Sequence, residues 1–277
     1  LAGNFSSRGE IEESAMRRTV ETLVTFGDLL RRQGVEAIFA VATGVLREAQ
    51  NREAFIKRVF ERTGISLRLL SGEEEARLML KGVLWSLQEE VPARLVADIG
   101  GWSTEIVWVE GRAPKKTCSL SLGAVVLSER FLKSDPPPPG ELQALEAHTR
   151  GALREIREEF EREGLAGKDL HPSLVGTAGT ITTLAAVDQE LRAYDPEKIN
   201  RHQLSRRTLE EIYFRLRSLP LRERRSLPGL EEGREDLIVA GAAVVLTLLE
   251  VFGLKKLTVI DSGLLEGVLL EGISQLS

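Results

Sequence analysis

The sequence is poor in the residues that cross-link small folds or bind soft metals. It has one cysteine, Cys118, and three histidines, His148, His171 and His202, spread over 277 residues. A single thiol excludes an internal disulfide framework and any cysteine-based zinc site, and histidines so scattered argue against a histidine-ligated metal. Long apolar runs are missing as well. The longest, "LIVAGAAVVLTLLEVFG", is broken by Glu250 and reads as a buried helix, not a membrane span. No signal peptide opens the chain, so a cytoplasmic location is the default expectation. A net charge of −5 argues against a general nucleic-acid binder. The arginine-rich stretches "NRHQLSRR" (200–207) and "LRERR" (221–225) fit solvated helix faces better than a polyanion groove.

What is present is a globular composition, 42% hydrophobic and 29% charged, at a length that suits two domains. Apolar residues at helical spacing predict a helix over 9–33 that stops at Gly34. "AIFAVATG" (37–44) reads as a short buried strand, 53–64 as a helix ending at Gly64, 66–72 as a strand and 73–87 as a helix. That alternation is α/β organisation with parallel strands. "VADIGGWSTEIVWV" (96–109) is a hairpin, and "KKTCSLSLG" (115–123) adds a third antiparallel strand, so the sheet is mixed. A helix from Ala124 stops at "SDPPPPG" (134–140), and a long amphipathic helix follows. "PSLVGTAGTITTLAAV" (172–187) and "KKLTVIDSGLLEGVLLEG" (255–272) each read as strand, turn and helix, with a mainly helical region over 200–252.

Three of these turns, "DIGGWSTE", "GTAGT" and "DSGLLEG", end a strand in small or polar residues. Glycine there lets backbone N–H groups approach an anion, and a following helix adds positive charge at its N-terminus. Ser103 and Thr104 add hydroxyl donors, while Asp98 would hold a phosphate through a divalent cation. A plain tight hairpin explains any one such turn; three together point to a Mg²⁺–phosphate site.

The same three turns resemble the second phosphate loop, the adenosine-type loop and the second connecting motif of the actin/Hsp70/sugar-kinase superfamily. "VATGVLREAQNREAFIKRVFERTGISLRLLSGEEEARLML" is similar to the exopolyphosphatase/guanosine pentaphosphate phosphohydrolase family. "SLSLGAVVLSERF", "GTAGTITTLAA" and "LPGLEEGREDLIVAGAAVVL" continue the match over nearly the whole chain. The resemblance implies an α/β fold of two ribonuclease H-like domains with mixed sheets, the actin-like ATPase fold. It divides the chain at 1–93 and 94–277, with the terminal helix packing back on the first domain and the active site in the cleft between them. It also implies removal of terminal phosphoryl groups from inorganic polyphosphate or guanosine pentaphosphate with Mg²⁺ or another divalent cation. By motif position Glu75 is the catalytic base and Arg47 lies on the phosphate chain. Asp98, Gly100, Gly101, Ser103 and Glu105 form the phosphate loop with its metal contacts at Asp98 and Glu105, and Gly176, Thr177, Gly179 and Thr180 line the opposite wall. Without the resemblance, Glu75 reads equally as a first-turn helix glutamate favoured by the dipole, the role expected of Glu73 and Glu74.

The chain departs from the family in three places. The Asp-, Gly- and Ser-containing hairpin that opens the family's first domain has no counterpart, since "LAGNFSSRGEIEESAMRR" already matches the region after it. The chain as written is therefore expected to be a fragment with little catalysis. Trp102 stands where the family has a third glycine; it would be strained at positive φ and would either block the phosphate, stack on a base or pack outward. Ser262 and Leu265 stand where the family often has arginines, which predicts a preference for Mg²⁺-shielded polyphosphate over a highly charged nucleotide. The alternative to an enzyme is a catalytically weakened sensor of polyphosphate or nucleotide. A sugar kinase is a third reading, disfavoured by "SGEEEARL". A homodimer is expected from full-length relatives.

Overall fold

The computed structural model describes residues 5, 9–87, 93–165 and 172–276. His171 and most of the opening "LAGNFSSR" lie outside the described residues. By packing, the chain divides into two compact units, Leu1–Glu75 with Glu271–Ser277, and Ala76–Leu270.

In the first unit, α1 (Glu13–Arg32) buries Ala15, Met16 and Val20 and ends before Gly34. It is followed by β1 (Ala40–Ala42), α2 (Val45–Glu48), α3 (Arg52–Thr63) and β2 (Leu67–Leu69). Gly64 closes α3 in the left-handed conformation, donating its N–H to the Phe60 carbonyl. The strands pair in parallel, Ala40 opposite Leu67 and Ala42 opposite Leu69. The buried strand expected over 37–44 is corrected here: β1 is three residues long and half-buried, and Ile38 and Phe39 are exposed. Its only hydrogen-bonded neighbour among the described residues is β2, and so small a sheet covers little of either face.

Helix α4 (Gly72–Ser86) begins at the end of the first unit and continues into the second. The sequence places the boundary at residue 93. Packing places it at Glu75, because Ala76, Met79, Leu80 and Val83 bury against Val96, Val107, Val175 and Ile260. The rest of the second unit runs β3 (Ala93–Ile99), β4 (Thr104–Glu110), β5 (Ala113–Leu120), α5 (Ala124–Phe131), α6 (Pro139–Arg162), β6 (Ser173–Thr177) and α7 (Ala178–Asp188). Next come α8 (Pro196–Ile199), β7 (Gln203–Ser205), α9 (Arg206–Ser218), α10 (Leu221–Arg224), α11 (Ile238–Val251), β8 (Lys256–Val259) and α12 (Leu264–Leu276), whose last residues fall with the first unit. The sheet order is β5-β4-β3-β6-β8-β7. The meander β3–β4–β5 is antiparallel, as the two tight turns require, while β3, β6 and β8 run parallel.

Both faces of this sheet are covered, which is why its central strands read as near-continuous apolar runs. Leu95, Ile106 and Trp108 face α6, α7 and α11, with Trp108 edge-on to Phe160 at 5.8 Å between ring centres. Helix α11 is the apolar run noted in the sequence, buried nearly all round. Its Glu250 accepts a two-pronged hydrogen bond from Arg150 of α6, at 2.9 Å on each oxygen, so the interrupting charge is paired at the protein surface.

The region 200–252 is mainly helical, as expected, and also holds β7, which pairs antiparallel with β8 at the sheet edge and is too short to leave a periodic signal. One expectation changes there: "LRERR" is not a uniformly solvated face. Arg224 is buried and donates to Asp135 at 2.7 Å and to the Leu216 carbonyl, its charge compensated inside the fold. Arg206 and Arg207 do behave as a solvated face, paired with Glu210 and Glu211 one turn on.

Helices α4 and α12 cross at backbone contact distance through glycines. A β-carbon at Gly82 would lie 1.9 Å from the Gly263 carbonyl oxygen. Gly151, mid-helix in α6, has open space around it. Gly82→Ala is therefore expected to lower the urea midpoint, with overpacking costing about 1–3 kcal/mol. Gly151→Ala is expected to raise it, by about 1 kcal/mol of helix propensity.

Candidate active site

The three adjacent glutamates at the start of α4 have three different environments. Glu73 is exposed. Glu74 forms a capping box: its N–H donates to Ser71 Oγ at 3.1 Å, and its carboxylate accepts the Ser71 N–H at 2.9 Å. The Ser71 N–H, and then the Arg68 guanidinium, hold the Glu74 carboxyl down at about 2. Glu75 alone is buried, 8% exposed, and its Oε2 accepts a hydrogen bond from Arg47 Nη1 at 2.9 Å. Arg47 also donates to the Leu70 carbonyl at 3.2 Å, and its own carbonyl accepts from Arg52 at 2.8 Å. The two residues assigned to catalysis by resemblance are thus in direct contact, 28 positions apart in sequence.

In the second unit the register of the sheet collects the polar residues. Asp98 lies opposite Glu105 on β4 and beside Thr177 on β6, and Glu105 lies opposite Ser119 on β5. Residues directly opposite share a face, so these four side chains form one row on the face that Val96, Val107 and Val175 also occupy. The row sits at the carboxyl ends of β3 and β6, the end of a parallel sheet where ligands bind. Glu105 is almost fully buried and accepts from Ser119 Oγ at 2.8 Å, while Asp98 is half-buried.

The loop after Asp98 is held by α5. The N–H groups of Gly123, Ala124 and Val125 donate to the carbonyls of Trp102, Gly100 and Gly101, at 3.2, 2.9 and 2.8 Å. In a trans peptide the carbonyl and the next N–H point opposite ways. Capturing these carbonyls therefore turns the N–H groups of Gly101, Trp102 and Ser103 away from α5. Glycine at 123 is what permits it, since a β-carbon there would stand 2.2 Å from the Trp102 carbonyl carbon. Thr104 fixes the same junction by donating to the Leu122 carbonyl at 2.9 Å. Trp102 has no positive φ, so the strain expected of it does not arise.

The turn "GTAGT" is shorter than the sequence suggests. β6 ends at Thr177 and α7 begins at Ala178, which makes the whole turn itself at φ 71°, a costly conformation for a residue with a β-carbon. Its four candidate residues separate into two pairs. Gly176 serves packing: a β-carbon there would lie 2.4 Å from Ile181 and 2.8 Å from Leu257. Thr177 is buried and spends its hydroxyl proton on the Ser262 carbonyl at 3.0 Å, tying β6 to the turn after β8. Gly179 and Thr180, by contrast, line a cavity of about 90 Å³ together with Gly100, Gly101 and Arg234.

Arg234 is the residue that sequence reasoning missed. It stands just before the apolar stretch of α11, and its guanidinium lies within 2.5 Å of where a Gly179 β-carbon would be. Glycine at 179 thus makes room for a cation beside the turn. Glu231 accepts from Arg234 Nε at 2.6 Å and orients it. The absence of a side chain at 179 was the available signal, and without a structure it had no partner. Ser262, for its part, hydrogen-bonds Ser86 through its hydroxyl at 2.5 Å, and Leu265 is exposed.

Among the described residues no group of three His, Cys, Asp or Glu side chains converges on a metal position. Asp98 and Glu105 supply two carboxylates from adjacent strands. That donor set fits Mg²⁺, which takes one or two carboxylates and completes its shell with waters and phosphate oxygens.

Residues 1–275 match, as a whole, the Ppx/GppA phosphatase family. This chain belongs to that family. Its relatives include exopolyphosphatase 2 of Mycobacterium tuberculosis, 32% identical over 98% of this chain and 85% of the relative. The bifunctional 3-dehydroquinate synthase/phosphatase of Fusobacterium nucleatum is 32% identical over 95% of this chain, which spans only 39% of that protein. The guanosine-5′-triphosphate,3′-diphosphate pyrophosphatase of Photobacterium profundum is 27% identical over the full chain and 53% of its own length. The crystal structure of the Aquifex aeolicus Ppx/GppA family member has the same fold, with a TM-score of 0.82 at 31% identity over 99% of this chain and 86% of that one. The α/β fold with mixed sheets is therefore that of the Ppx/GppA family, as the resemblance implied.

Glu74, unlike Glu75, belongs to the helix end. Its carboxyl titrates below the ordinary value of 4.5, so its contribution to stability is complete above that value and is lost as the pH falls towards about 2. Glu74→Gln is expected to lower the urea midpoint at neutral pH by the equivalent of about 1 kcal/mol or less, as for a partly exposed cap. The difference from wild type is expected to shrink as the pH falls from 4.5 towards 2, with phosphatase activity at neutral pH unaffected.

Proposed function

We propose that this Ppx/GppA family member hydrolyses terminal phosphoanhydride bonds of inorganic polyphosphate or guanosine pentaphosphate. The observation that carries the reading is the gathering of Asp98, Glu105 and the glycine turns at 100–101 and 179–180 at the carboxyl ends of parallel strands. That is where backbone amides and carboxylates together suit an anion and its counter-cation.

In this mechanism the terminal phosphoryl group lies against Gly100, Gly101, Gly179 and Thr180, with Arg234 offsetting charge on its oxygens. Mg²⁺, when held by Asp98 and Glu105, supplies further charge neutralisation to the phosphate oxygens. Glu75 accepts a proton from the attacking water. The water oxygen forms a bond to the terminal phosphorus as the bond to the bridging oxygen breaks, and the electron pair leaves with the shortened chain. Arg47 fixes the Glu75 carboxylate in one orientation, a positioning role in addition to any contact with the phosphate chain. The family's phosphatase relatives and the distinct burial of Glu75 among its neighbours favour catalysis over the sensor reading.

Glu75→Gln is expected to lower phosphate release from polyphosphate with Mg²⁺ by about 10²–10⁴-fold, the range of a lost general base, while binding is retained. Wild-type turnover in that variant would remove Glu75 from the mechanism. Binding with no turnover in the wild type itself would favour the sensor. Arg234→Leu is expected to weaken polyphosphate binding about tenfold, the loss of one charge-assisted hydrogen bond.

A further inference from the structure

We propose that Glu235 is a positioning residue for Arg234, its buried carboxylate fixing the turn from which Arg234 reaches the small cavity beside Gly179. The inference rests on the reading of that cavity as a phosphate site given above. Glu235 is one of three buried carboxylates among the described residues, and the other two, Glu75 and Glu105, already have a place in the mechanism. Burying a carboxylate costs desolvation, and its charge opposes an anion bound close by. One residue away from a phosphate-facing cation, the use of such a group is geometric.

The carboxylate of Glu235 is gripped on both oxygens. Oε2 accepts the Gly233 N–H at 2.7 Å, and Oε1 accepts Arg225 Nε at 2.5 Å. Its own N–H, and after it the Arg225 guanidinium, hold the carboxyl below its ordinary value of 4.5, so the group is ionised at neutral pH. Gly233 stands at φ 83°, with open space where a β-carbon would be, so no side chain packs that residue in place. The hydrogen bond from Glu235 supplies the missing restraint. On the other side of Arg234, its carbonyl accepts the N–H groups of Leu237 and Ile238, at 3.1 and 2.9 Å, as α11 begins. The backbone of Arg234 is thus held from both directions, and its guanidinium is left to Glu231 and the cavity.

The anchor is itself braced. Arg225 follows α10, and its N–H donates to the Leu221 carbonyl at 3.1 Å. The Leu221 N–H and the Arg224 guanidinium both donate to Asp135, at 2.7 Å each. The stretch "LRERR" therefore carries two structural ion pairs, Arg224 with Asp135 and Arg225 with Glu235. A cation delivered from a turn locked in this way has little left to order when an anion binds, and a misplacement of about 1 Å can cost about 10²-fold.

The test measures tripolyphosphate affinity by calorimetry with Mg²⁺, together with KM and kcat for phosphate release, in Glu235→Ala, Glu235→Asp, Arg234→Leu and the two double variants. Charge alone predicts tighter binding for Glu235→Ala, which removes a negative group, and no change for Glu235→Asp, which keeps it. Positioning predicts the opposite sign. Glu235→Ala is expected to weaken binding by about tenfold, the loss expected of Arg234→Leu, and Glu235→Asp by less, read as a raised KM with kcat retained. Both losses are expected to disappear in the Arg234→Leu background. Unchanged or tighter binding in Glu235→Ala, or losses that multiply with that of Arg234→Leu to about 100-fold, overturns the proposal. If Glu235→Ala lacks the wild-type circular dichroism spectrum, Glu235→Asp decides: a loss confined to the protein with Arg234 intact supports the proposal, and unchanged affinity overturns it. Wild-type hydrolysis of tripolyphosphate with multiplying losses refutes this inference alone and leaves the phosphatase reading standing. Binding losses coupled through Arg234, with no hydrolysis by the wild type, support the positioning role and refute the phosphatase reading. Failure of the wild type to bind tripolyphosphate overturns both.

Discussion

The capture of loop 100–102 by the first turn of α5 is the constraint from which the proposed phosphate site follows. A helix N-terminus has unsatisfied N–H groups, and those of α5 are spent on loop carbonyls. The consequence is indirect. A loop whose carbonyls are all drawn to one side must present its amides on the other, and it does so without glycine at every position. This explains how a tryptophan can occupy residue 102, where a third glycine would have been expected. What the junction requires is the absence of a side chain at 123, where two backbones meet; residue 102, whose φ is not positive, needs no glycine.

Electrostatics then set the terms for binding. Asp98 and Glu105 stand on neighbouring strands, on one face and at one end of the sheet. Two carboxylates so placed repel a phosphate chain; a divalent cation between carboxylate and phosphate oxygens turns the same pair into an attachment. On the proposed function, phosphate affinity and metal affinity are therefore linked, each raising the other. Arg234 acts in the same sense without a metal, and glycine at 179 gives it the space.

Much of this was legible in the sequence, for identifiable reasons. The hairpin read over 96–109 and the third strand of the meander are apolar segments joined by tight turns, which is what makes consecutive strands antiparallel neighbours. α11 is apolar over more than three turns, which is why it reads as a buried helix, and the structure pairs its interrupting Glu250 with Arg150. What the sequence concealed depended on partners distant along the chain. Gly176 and Gly179 look equivalent in "GTAGT", yet one is packed by Ile181 and Leu257 and the other faces Arg234. Arg224 looked like its solvated neighbours until Asp135, 89 positions earlier, proved to be its counter-ion. β7 is three residues long and is defined only by pairing with β8.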